Sequence, residues 1–290
     1  MAVATTSASS RGEVQLLETR EVQRRLRLLR WAAPAVSRSV QPGQFVHVRS
    51  PAPRGLLLPA VAVAGFDRVH GSFSMLLHED HPASAELWPL RAGDTASIEG
   101  PLGRGFEIDA RSRFLLVVAD AAGFARVRAV VDEAVASGRQ VALLLGAGSA
   151  AEVPPSSLLP DEAEYVVATE DGSIGHAGSV ADLIIEYEAW ADQCFAAAED
   201  SILDRVAALA TGRDERMGVA RLGRRRGRRG DPETASARRR AWLQVALPHE
   251  AGCVLGICLG CVATGRRGPL RVCREGPAFG SGELLWDPVS

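Results

Sequence analysis

The sequence contains no lysine, and its 33 basic residues are therefore all arginine. They are matched by 35 acidic residues, so that the formal net charge is only -2. A general nucleic-acid-binding protein needs a clear excess of positive charge, and we therefore expect no nucleic acid among the partners of this chain. The sequence also lacks any run of eighteen apolar residues, which predicts that it has no membrane-spanning helix.

Cysteine is scarce as well, with five in 290 residues. The first residues have neither a charged start nor a long apolar stretch, so residues 1–12 are interpreted as a disordered lead-in rather than a signal peptide. Free thiols without a signal peptide are typical of a reducing compartment, which predicts a cytoplasmic location. The hydrophobic content of 47% is enough for well-packed cores, and the length indicates about two domains.

Four of the five cysteines are concentrated near the end of the chain. Cys253, Cys258 and Cys261 follow the pattern C-x4-C-x2-C, and Cys273 comes after eleven further residues. This spacing is that of plant-type [2Fe-2S] proteins, in which three thiolates on one short segment point at the same cluster. The glycines within the motif let the backbone curl around the inorganic sulfur atoms and approach them closely. The four cysteines are therefore predicted to bind one [2Fe-2S] cluster.

Two other uses of these cysteines remain as alternatives. A structural zinc site usually has two C-x2-C pairs, whereas this chain has one such pair with a further cysteine upstream. Two disulfide bonds suit a small secreted domain better than a long chain without a signal peptide. Cys194 lies in a strand-like stretch and is interpreted as a small buried hydrophobic residue rather than a ligand.

The pattern of apolar residues and turns divides the rest of the chain, and the predicted fold class is mixed β and α/β. Residues 13–110 contain short strand-like runs separated by turns, which predicts an all-β domain. The runs cover 14–17, 25–29, 45–48, 60–64, 73–78 and 95–99. Residues 111–211 alternate apolar strands with helices, which predicts a parallel α/β domain. Its strands cover 114–118, 140–145 and 165–169, and its helices cover 124–137 and 202–210.

The first strand-to-helix turn of the α/β region is poor in glycine. It reads Ala119-Asp-Ala-Ala-Gly123, whereas dinucleotide-binding sheets have glycine-rich turns at this point. A carboxylate where a pyrophosphate would lie is unfavourable, so this turn taken alone argues against a conventional nucleotide site. A second polar loop at 171–178 is rich in glycine and fits either a phosphate or cofactor site or a plain connection.

Residues 212–240 hold eleven arginines and almost no apolar side chains. Such a composition cannot bury enough surface to order a segment, so it is interpreted as a flexible insertion, with docking to nucleic acid or a partner as the alternative. Order is expected to resume with a strand at 242–246. Residues 241–290 are then expected to form the [2Fe-2S] module.

The order of these parts resembles the electron transfer subunit of type B dihydroorotate dehydrogenase, in the ferredoxin-reductase superfamily. The resemblance covers roughly residues 13–290 apart from the arginine-rich insertion. The motifs that carry it are Pro42-Gly-Gln-Phe45, Gly100-Pro-Leu-Gly103 with Gly105-Phe106, Asp171-Gly-Ser173 with Gly175 and Gly178, the four cysteines, and Arg271-Val-Cys273 with Gly276-Pro277 and Phe279.

The resemblance implies FAD in an N-terminal β-barrel, an NAD-type α/β domain, and a [2Fe-2S] cluster next to a docked catalytic subunit that carries FMN, in a heterotetramer. In that family electrons pass from FMN through the cluster and FAD to NAD, in pyrimidine biosynthesis. No catalytic residue is assigned to this chain. The residues that match the flavin-binding segments of the family are Leu58, Pro59, Ala60, Val61, Leu76, Leu77, His78, Ala83 and Ser84.

Several positions depart from the family pattern. The Arg-Pro-Phe-Ser-type flavin signature is replaced by Leu58-Pro-Ala-Val61, which removes its cation and hydroxyl, and Arg54 is the nearest basic residue upstream. The Gly-x-Gly-Thr of the family corresponds to His81-Pro-Ala-Ser84, and its Cys-Gly-Pro corresponds to Ala197-Ala-Glu199. Each change removes a phosphate-facing donor or a glycine.

Two main functions are therefore predicted. The first is an electron-transfer subunit that carries a [2Fe-2S] cluster and FAD and serves a partner dehydrogenase. The alternative is a degenerate, non-catalytic subunit that keeps the cluster, mainly docks to its partner and binds FAD and NAD poorly. A zinc-stapled adaptor is a third, more remote reading.

Overall fold

The computed structural model describes residues 10–50, 60–216, 241–248, 253 and 256–286. Arg54, Leu58, Pro59 and positions 217–240 of the arginine-rich segment lie outside these described residues. The described chain forms two sheets of seven strands each and one separate hairpin. In this part of the chain, no helix is both long and apolar enough to cross a membrane.

The first sheet is entirely antiparallel, in the strand order β4-β3-β7-β1-β2-β6-β5. Its strands are β1 (Ser10–Gln23), β2 (Leu26–Ala32), β3 (Phe45–Arg49), β4 (Ala60–Ala62), β5 (Gly65–Asp67), β6 (Ser72–His78) and β7 (Thr95–Leu102). Two short helices, α1 (Pro34–Ser39) and α2 (Ser84–Leu87), lie between its strands in sequence.

The two edge strands of this sheet, β4 and β5, are separated by only Val63 and Ala64 in sequence. The N–H of Val63 donates to Gln44 before β3, and the N–H of Ala64 donates to Ser74 in β6. The sheet must therefore curve strongly for its two edges to meet. Among the described residues no strand pairing joins β4 to β5, so the sheet is curved but its closure into the predicted barrel is not established.

Alternating burial along the strands builds the core of the first sheet. In β6, Phe73, Met75 and Leu77 are almost completely buried and face the same side, as every second residue of a strand does. Trp31 of β2 belongs to the same core cluster. Leu76 points to the opposite face and packs with residues of the second sheet.

The second sheet has the order β11-β10-β9-β8-β12-β13-β16 and is parallel except for its last pair. Its strands are β8 (Phe114–Asp120), β9 (Gln140–Ala147), β10 (Glu164–Thr169), β11 (His176–Ala177), β12 (Gln193–Ala197), β13 (Leu243–Ala246) and β16 (Ala278–Gly280). The separate hairpin is β14 (Val262–Gly265) and β15 (Gly268–Arg271). The helices are α3 (Phe124–Ala136), α4 (Ile184–Glu188), α5 (Asp200–Arg216) and α6 (Val272–Glu275), with 3-10 turns at Ala150–Glu152, Ser156–Leu158, Val180–Asp182 and Ser281–Glu283.

Helices cover both faces of the second sheet, which explains its continuously apolar strands. In β8, Leu115 and Val117 belong to one core cluster with Phe124 of α3. Leu116 belongs to a second cluster on the other face, together with Leu203 of α5. The prediction of a buried strand at 114–118 in a parallel sheet is therefore confirmed.

Three predicted boundaries are corrected by the structure. Residues 10–12, predicted to be disordered, pair with β7 as the start of β1, while residues 1–9 lie outside the described residues. α5 continues to Arg216, so residues 212–216 are helical and not part of a flexible insertion. β13 and β16 belong to the second sheet, so both ends of the predicted module at 241–290 pair within that sheet. The cysteine segment is an excursion between these two neighbouring strands.

Candidate cluster and cofactor sites

The cysteine segment leaves β13, carries Cys253, Cys258 and Cys261, and passes through the β14–β15 hairpin to Cys273 in α6. The N–H of Val272 donates to the Cys261 carbonyl over 2.7 Å. The N–H of Cys273 donates to the Cys261 sulfur at 3.4 Å. The hairpin thereby brings the last two cysteines of the motif side by side.

The four thiols differ in exposure. Cys261 and Cys273 are 8% and 3% exposed, Cys253 is half-buried and Cys258 is exposed. Burial raises the pKa of Cys273 to about 12, with further contributions from a hydrogen bond with the Cys261 thiol and from Cys253, whereas the backbone N–H of Gly256 lowers it. Cys253, Cys261 and Cys273 therefore lie within electrostatic range of one another, with a backbone donor directed at Cys273.

A [2Fe-2S] cluster fits the donor chemistry of this segment. Such a cluster takes four cysteine thiolates, and hydrogen bonds to its sulfurs tune its potential. The N–H of Gly260 lies 3.5 Å from the Cys258 sulfur, and Gly256 and Leu259 have positive φ angles that curl the backbone. In the part of the chain that the structure describes, no group of three or more His, Cys, Asp or Glu side chains is close enough to hold a metal ion.

A charged pair holds the curled segment from one side. The Arg271 guanidinium donates to both carboxylate oxygens of Glu275, at 2.5 Å and 3.2 Å, and one of these oxygens also accepts the Arg271 N–H at 2.7 Å. A further guanidinium nitrogen lies 3.3 Å from the Gly256 carbonyl. Arg271 interacts electrostatically with Cys261 and Cys273, and it therefore places a fixed cation next to the thiols.

Two glycine-rich motifs join the first sheet to the cysteine segment. The Gln44 side-chain amide donates to the Gly103 carbonyl over 2.7 Å, and the N–H of Phe106 donates to the Pro42 carbonyl over 2.8 Å. A side chain at Gly103 would come within 2.6 Å of the Gly276 carbonyl oxygen. We call residues 42–45, 100–106 and 276–279 together the clasp.

Arg104 is the central residue of the clasp. Its N–H donates to Gly276 at 2.5 Å, and its carbonyl accepts from Ala278 at 3.1 Å. Its guanidinium donates to the Glu275 carbonyl and reaches the Glu283 carboxylate at 3.2 Å. The motifs that carried the family resemblance therefore serve to fix the segment after Cys273 to the first sheet, a role that their glycine content did not reveal.

A cleft of about 930 Å³ lies between the two sheets, which is within the usual size of a cofactor site. From the first sheet it is lined mainly by Leu26, Ala60, Val61, Ala62, Leu76 and His78. From the second sheet it is lined by the turns that follow β8, β9 and β10, including Asp120, Phe124, Arg126, Gly146 and Glu170. The apolar wall of the first sheet thus faces polar turns of the second.

The residues predicted to bind flavin do not all lie in this cleft. Ala60, Val61, Leu76 and His78 line it. Leu77 and Ala83 are buried in the core of the first sheet. The Ser84 hydroxyl donates to the His78 carbonyl over 2.6 Å and is thus engaged within the domain. Leu58, Pro59 and Arg54 lie outside the described residues.

The turn between β8 and α3 is closed by its own carboxylate. One Asp120 oxygen accepts the N–H of Gly123 at 2.5 Å, and the other accepts the N–H of Glu199 at 2.7 Å. Gly123 packs against the end of β12 so closely that a Cβ would lie 1.6 Å from the Ala197 carbonyl oxygen. The Asp120 carboxylate therefore accepts the Gly123 N–H at the start of α3 from within the turn itself.

Arg126, in the first turn of α3, was not singled out by the sequence. It lines the cleft, and its Nε atom is shielded from solvent and has no hydrogen-bond partner in the part of the chain that the structure describes. Burial lowers the pKa of Arg126, and the charge of Asp120 partly offsets this. In the sequence, Arg126 is marked only by its place between the apolar residues Phe124 and Val127 of a predicted helix. This pattern does not distinguish an arginine that contacts a ligand from one at an ordinary surface position.

Two other predicted features have structural roles. Cys194 is completely buried in β12, and burial raises the pKa of its thiol, as expected for a hydrophobic residue without ligand function. In the loop at 171–178, Asp171 accepts hydrogen bonds from Ser173, whose hydroxyl accepts from the N–H of Ala150. Gly175 has no room for a side chain, because a Cβ would lie 2.0 Å from the Val167 carbonyl oxygen.

Comparison with known proteins places these sites in context. Residues 251–285 match the family model described as the iron-sulfur cluster binding domain of dihydroorotate dehydrogenase B. Two similar proteins are named dihydroorotate dehydrogenase B (NAD(+)), electron transfer subunit. The Desulforamulus reducens protein is 26% identical over 88% of this chain and 90% of that protein. The Geobacillus thermodenitrificans protein is 26% identical over 95% of this chain and 98% of that protein. The Methanothermobacter thermautotrophicus protein named "Probable dihydroorotate dehydrogenase B (NAD(+)), electron transfer subunit" is 29% identical over 85% of this chain and 80% of that protein.

Solved structures agree on the fold. The NADH-dependent reduced ferredoxin-NADP oxidoreductase matches with a TM-score of 0.73 over 94% of this chain and 90% of that chain, at 22% identity. The ferredoxin reductase in carbazole 1,9a-dioxygenase matches with a TM-score of 0.59 over 70% and 66%, at 18% identity. The fold is therefore ferredoxin-reductase-like, and over most of its length this chain resembles the electron transfer subunits of dihydroorotate dehydrogenase B.

Proposed function

We propose that this chain is an electron-transfer subunit that carries a [2Fe-2S] cluster and FAD and relays electrons from a dihydroorotate dehydrogenase-type catalytic subunit. The observation that carries the proposal is the clasp, in which Arg104 joins the cysteine segment to the sheet that lines the cleft. A relay needs its redox groups at a fixed separation, and the clasp supplies a rigid connection between the two candidate sites.

In this proposal Cys253, Cys258, Cys261 and Cys273 are the cluster ligands. When bound, the cluster supplies one-electron transfer. The chain contributes a curled backbone, the Gly256 and Gly260 N–H donors, and the Arg271 cation next to the thiols. Zinc and disulfide bonds are less well supported, because the spacing and the family model both correspond to an iron-sulfur domain.

The flavin is proposed to bind in the cleft between the sheets. Ala60, Val61 and Leu76 would pack on its ring system, and His78 borders the same wall. The short Val63–Ala64 link between the edge strands supports closure of the first sheet into a flavin-type β-barrel, because it leaves the two edges next to each other. The division into a flavin-type domain at 13–110 and an NAD-type domain at 111–211 is part of the same proposal.

Exposed apolar side chains near the cysteines support docking of a partner. Ile257 and Leu259 are 74% and 64% exposed, and they flank the exposed Cys258. Exposed apolar groups of this size often mark a protein interface. We infer that the FMN-containing catalytic subunit covers this surface in a cytoplasmic heterotetramer and approaches the cluster there.

One observation favours the alternative of a degenerate subunit. The Asp120 carboxylate accepts the Gly123 N–H at the start of α3. This is the conventional place for a dinucleotide pyrophosphate, and the carboxylate there makes pyrophosphate binding less favourable. A subunit that keeps the cluster but binds FAD and NAD poorly would still dock to the catalytic subunit. The visible spectrum of the purified protein separates the possible functions. Flavin and cluster bands together would support the electron-transfer subunit, and cluster bands alone would support the degenerate subunit. A colourless protein that contains zinc would support the zinc-stapled adaptor.

The test of the cluster uses Cys258→Ser with Cys194→Ser as its matched control. Loss of one ligand should remove the iron and destabilise the C-terminal segment, because binding energy and folding energy are coupled in such sites. Cys194→Ser should leave iron content unchanged, because that thiol is completely buried in β12 and lies outside the C-x4-C-x2-C sequence motif. Two irons per chain and an unaltered spectrum in Cys258→Ser would exclude the proposed ligand set.

A further inference from the structure

The strongest unassigned feature of the molecule is the Arg126 guanidinium at the cleft. Its Nε is shielded from solvent and has no hydrogen-bond partner among the described residues. A guanidinium carries five N–H donors and cannot be neutralised at ordinary pH. A donor of a charged group that is shielded from solvent and makes no hydrogen bond is costly, and proteins normally pair such donors. The Arg126 Nε therefore lacks the partner that its burial calls for.

The neighbouring charged side chains do not supply this partner. Asp120 attracts Arg126 and accepts the N–H groups of Gly123 and Glu199, but the Arg126 Nε makes no hydrogen bond to it or to any other described residue. Arg25, which also lines the cleft, is already paired with Glu79 and Asp80.

The lining of the cleft indicates the rest of the ligand. Opposite the polar turns, β4 and Leu76 form an apolar wall that suits a flat ring system. An anionic group would complement the shielded Arg126 Nε at the start of α3. Carboxylates at Asp120, Glu152, Glu170 and Glu199 line the same side and repel anions. An anion therefore needs direct contact with Arg126 to bind there.

We propose that Arg126 binds the pyrophosphate group of a dinucleotide held in the cleft, and so takes over the role of the cation that is missing from the sequence Leu58-Pro-Ala-Val61. This inference rests on the proposed function, because it assumes that a cofactor occupies the cleft. Both FAD and a nicotinamide dinucleotide carry this pyrophosphate. Guanidinium forks match its oxygens well, and a charge-assisted contact of this kind is among the strong hydrogen bonds.

The experiment compares ligands with and without phosphate on the purified full-length protein with its cluster. FAD, NADH and riboflavin are titrated against the wild type, Arg126→Met, Arg126→Lys and Arg24→Met, with binding followed by fluorescence. Arg24 lines the same cleft but is exposed, so it controls for a general change of charge. Arg126→Met should weaken the affinity for FAD or NADH at least tenfold and should change the affinity for riboflavin by less than twofold. Arg24→Met should change all three by less than threefold.

Arg126→Lys keeps the positive charge but loses the paired N–H donors of the guanidinium, and it should reduce the affinity for FAD or NADH less than Arg126→Met does. The assignment is overturned if Arg126→Met leaves FAD and NADH binding unchanged, if it weakens riboflavin equally, or if Arg24→Met has the same effect. A wild-type protein that binds none of the three ligands refutes the cofactor part of the proposed function as well. If Arg126→Met does not fold, inorganic pyrophosphate should still compete with FAD or NADH for the wild type, and its failure to compete counts against the proposal.

Discussion

The Arg271 guanidinium and the Glu275 carboxylate form a two-oxygen ion pair one helical turn apart, with Glu275 also accepting the Arg271 N–H. The pair lies at the start of α6. From there the Arg271 guanidinium donates a hydrogen bond to the Gly256 carbonyl in the curled segment and interacts electrostatically with Cys261 and Cys273. One side chain thus both fixes the loop and sets the charge near the proposed cluster.

We expect Arg271→Met to lower the cluster midpoint potential and to speed cluster loss. Removing a cation favours the less negative, oxidised cluster, and removing the Gly256 contact loosens the loop. Potential is measured by EPR-monitored titration, and cluster loss by the decay of visible absorbance in chelator. Arg111→Met is the matched control, because Arg111 forms a similar ion pair with Asp109 on the surface. Equal potentials in both variants would show that Arg271 has no electrostatic role.

Gly123→Ala should be strongly destabilising. A Cβ at this position would lie 1.6 Å from the Ala197 carbonyl oxygen, so β12 and α3 must move apart. Overpacking of this kind costs about 1–3 kcal/mol, and here the obstacle is backbone rather than a flexible side chain. The free energy of unfolding from urea titration checks this. Gly12→Ala, with open space around its Cβ, should change stability by less than about 1 kcal/mol.

The sequence predicted the elements of this fold far better than their assembly. The strand at 114–118 and the helix at 124–137 have strong local patterns, and both lie where expected. The pairing of β13 with β16 depends on residues far apart in the chain and leaves no local pattern, so the sequence did not predict that the cysteine segment starts and ends in the second sheet. Arg126 was missed for a related reason, because its importance comes from the burial of one atom in a cleft between two sheets.

Arg104→Met should uncouple the cysteine segment from the first sheet without unfolding either. The substitution removes the guanidinium contacts with Glu275 and Glu283 but keeps the backbone bonds to Gly276 and Ala278. Amide exchange of residues 276–280 should become faster, while the amides of β8 and β9 keep their protection. Hydrogen exchange with mass spectrometry measures both regions. Unchanged exchange at 276–280 would show that the backbone contacts alone hold the clasp.

Asp120→Gly should strengthen dinucleotide binding while weakening the fold. The Asp120 carboxylate now accepts the N–H groups of Gly123 and Glu199 and lies near Arg126. Removing it costs about 1–3 kcal/mol of stability, because two donors lose a partner. It also frees the Gly123 N–H for phosphate and removes a repelling charge.

A charge-assisted hydrogen bond contributes roughly 1.5–3 kcal/mol, which corresponds to about a tenfold or greater gain in affinity for FAD or NADH. Calorimetric titration of both ligands checks this, with Asp161→Gly as the control because Asp161 is an exposed carboxylate in the same half of the chain. If Asp120→Gly loses stability but gains no affinity, the start of α3 does not contact the ligand phosphate. The Asp120 carboxylate would then serve the fold alone.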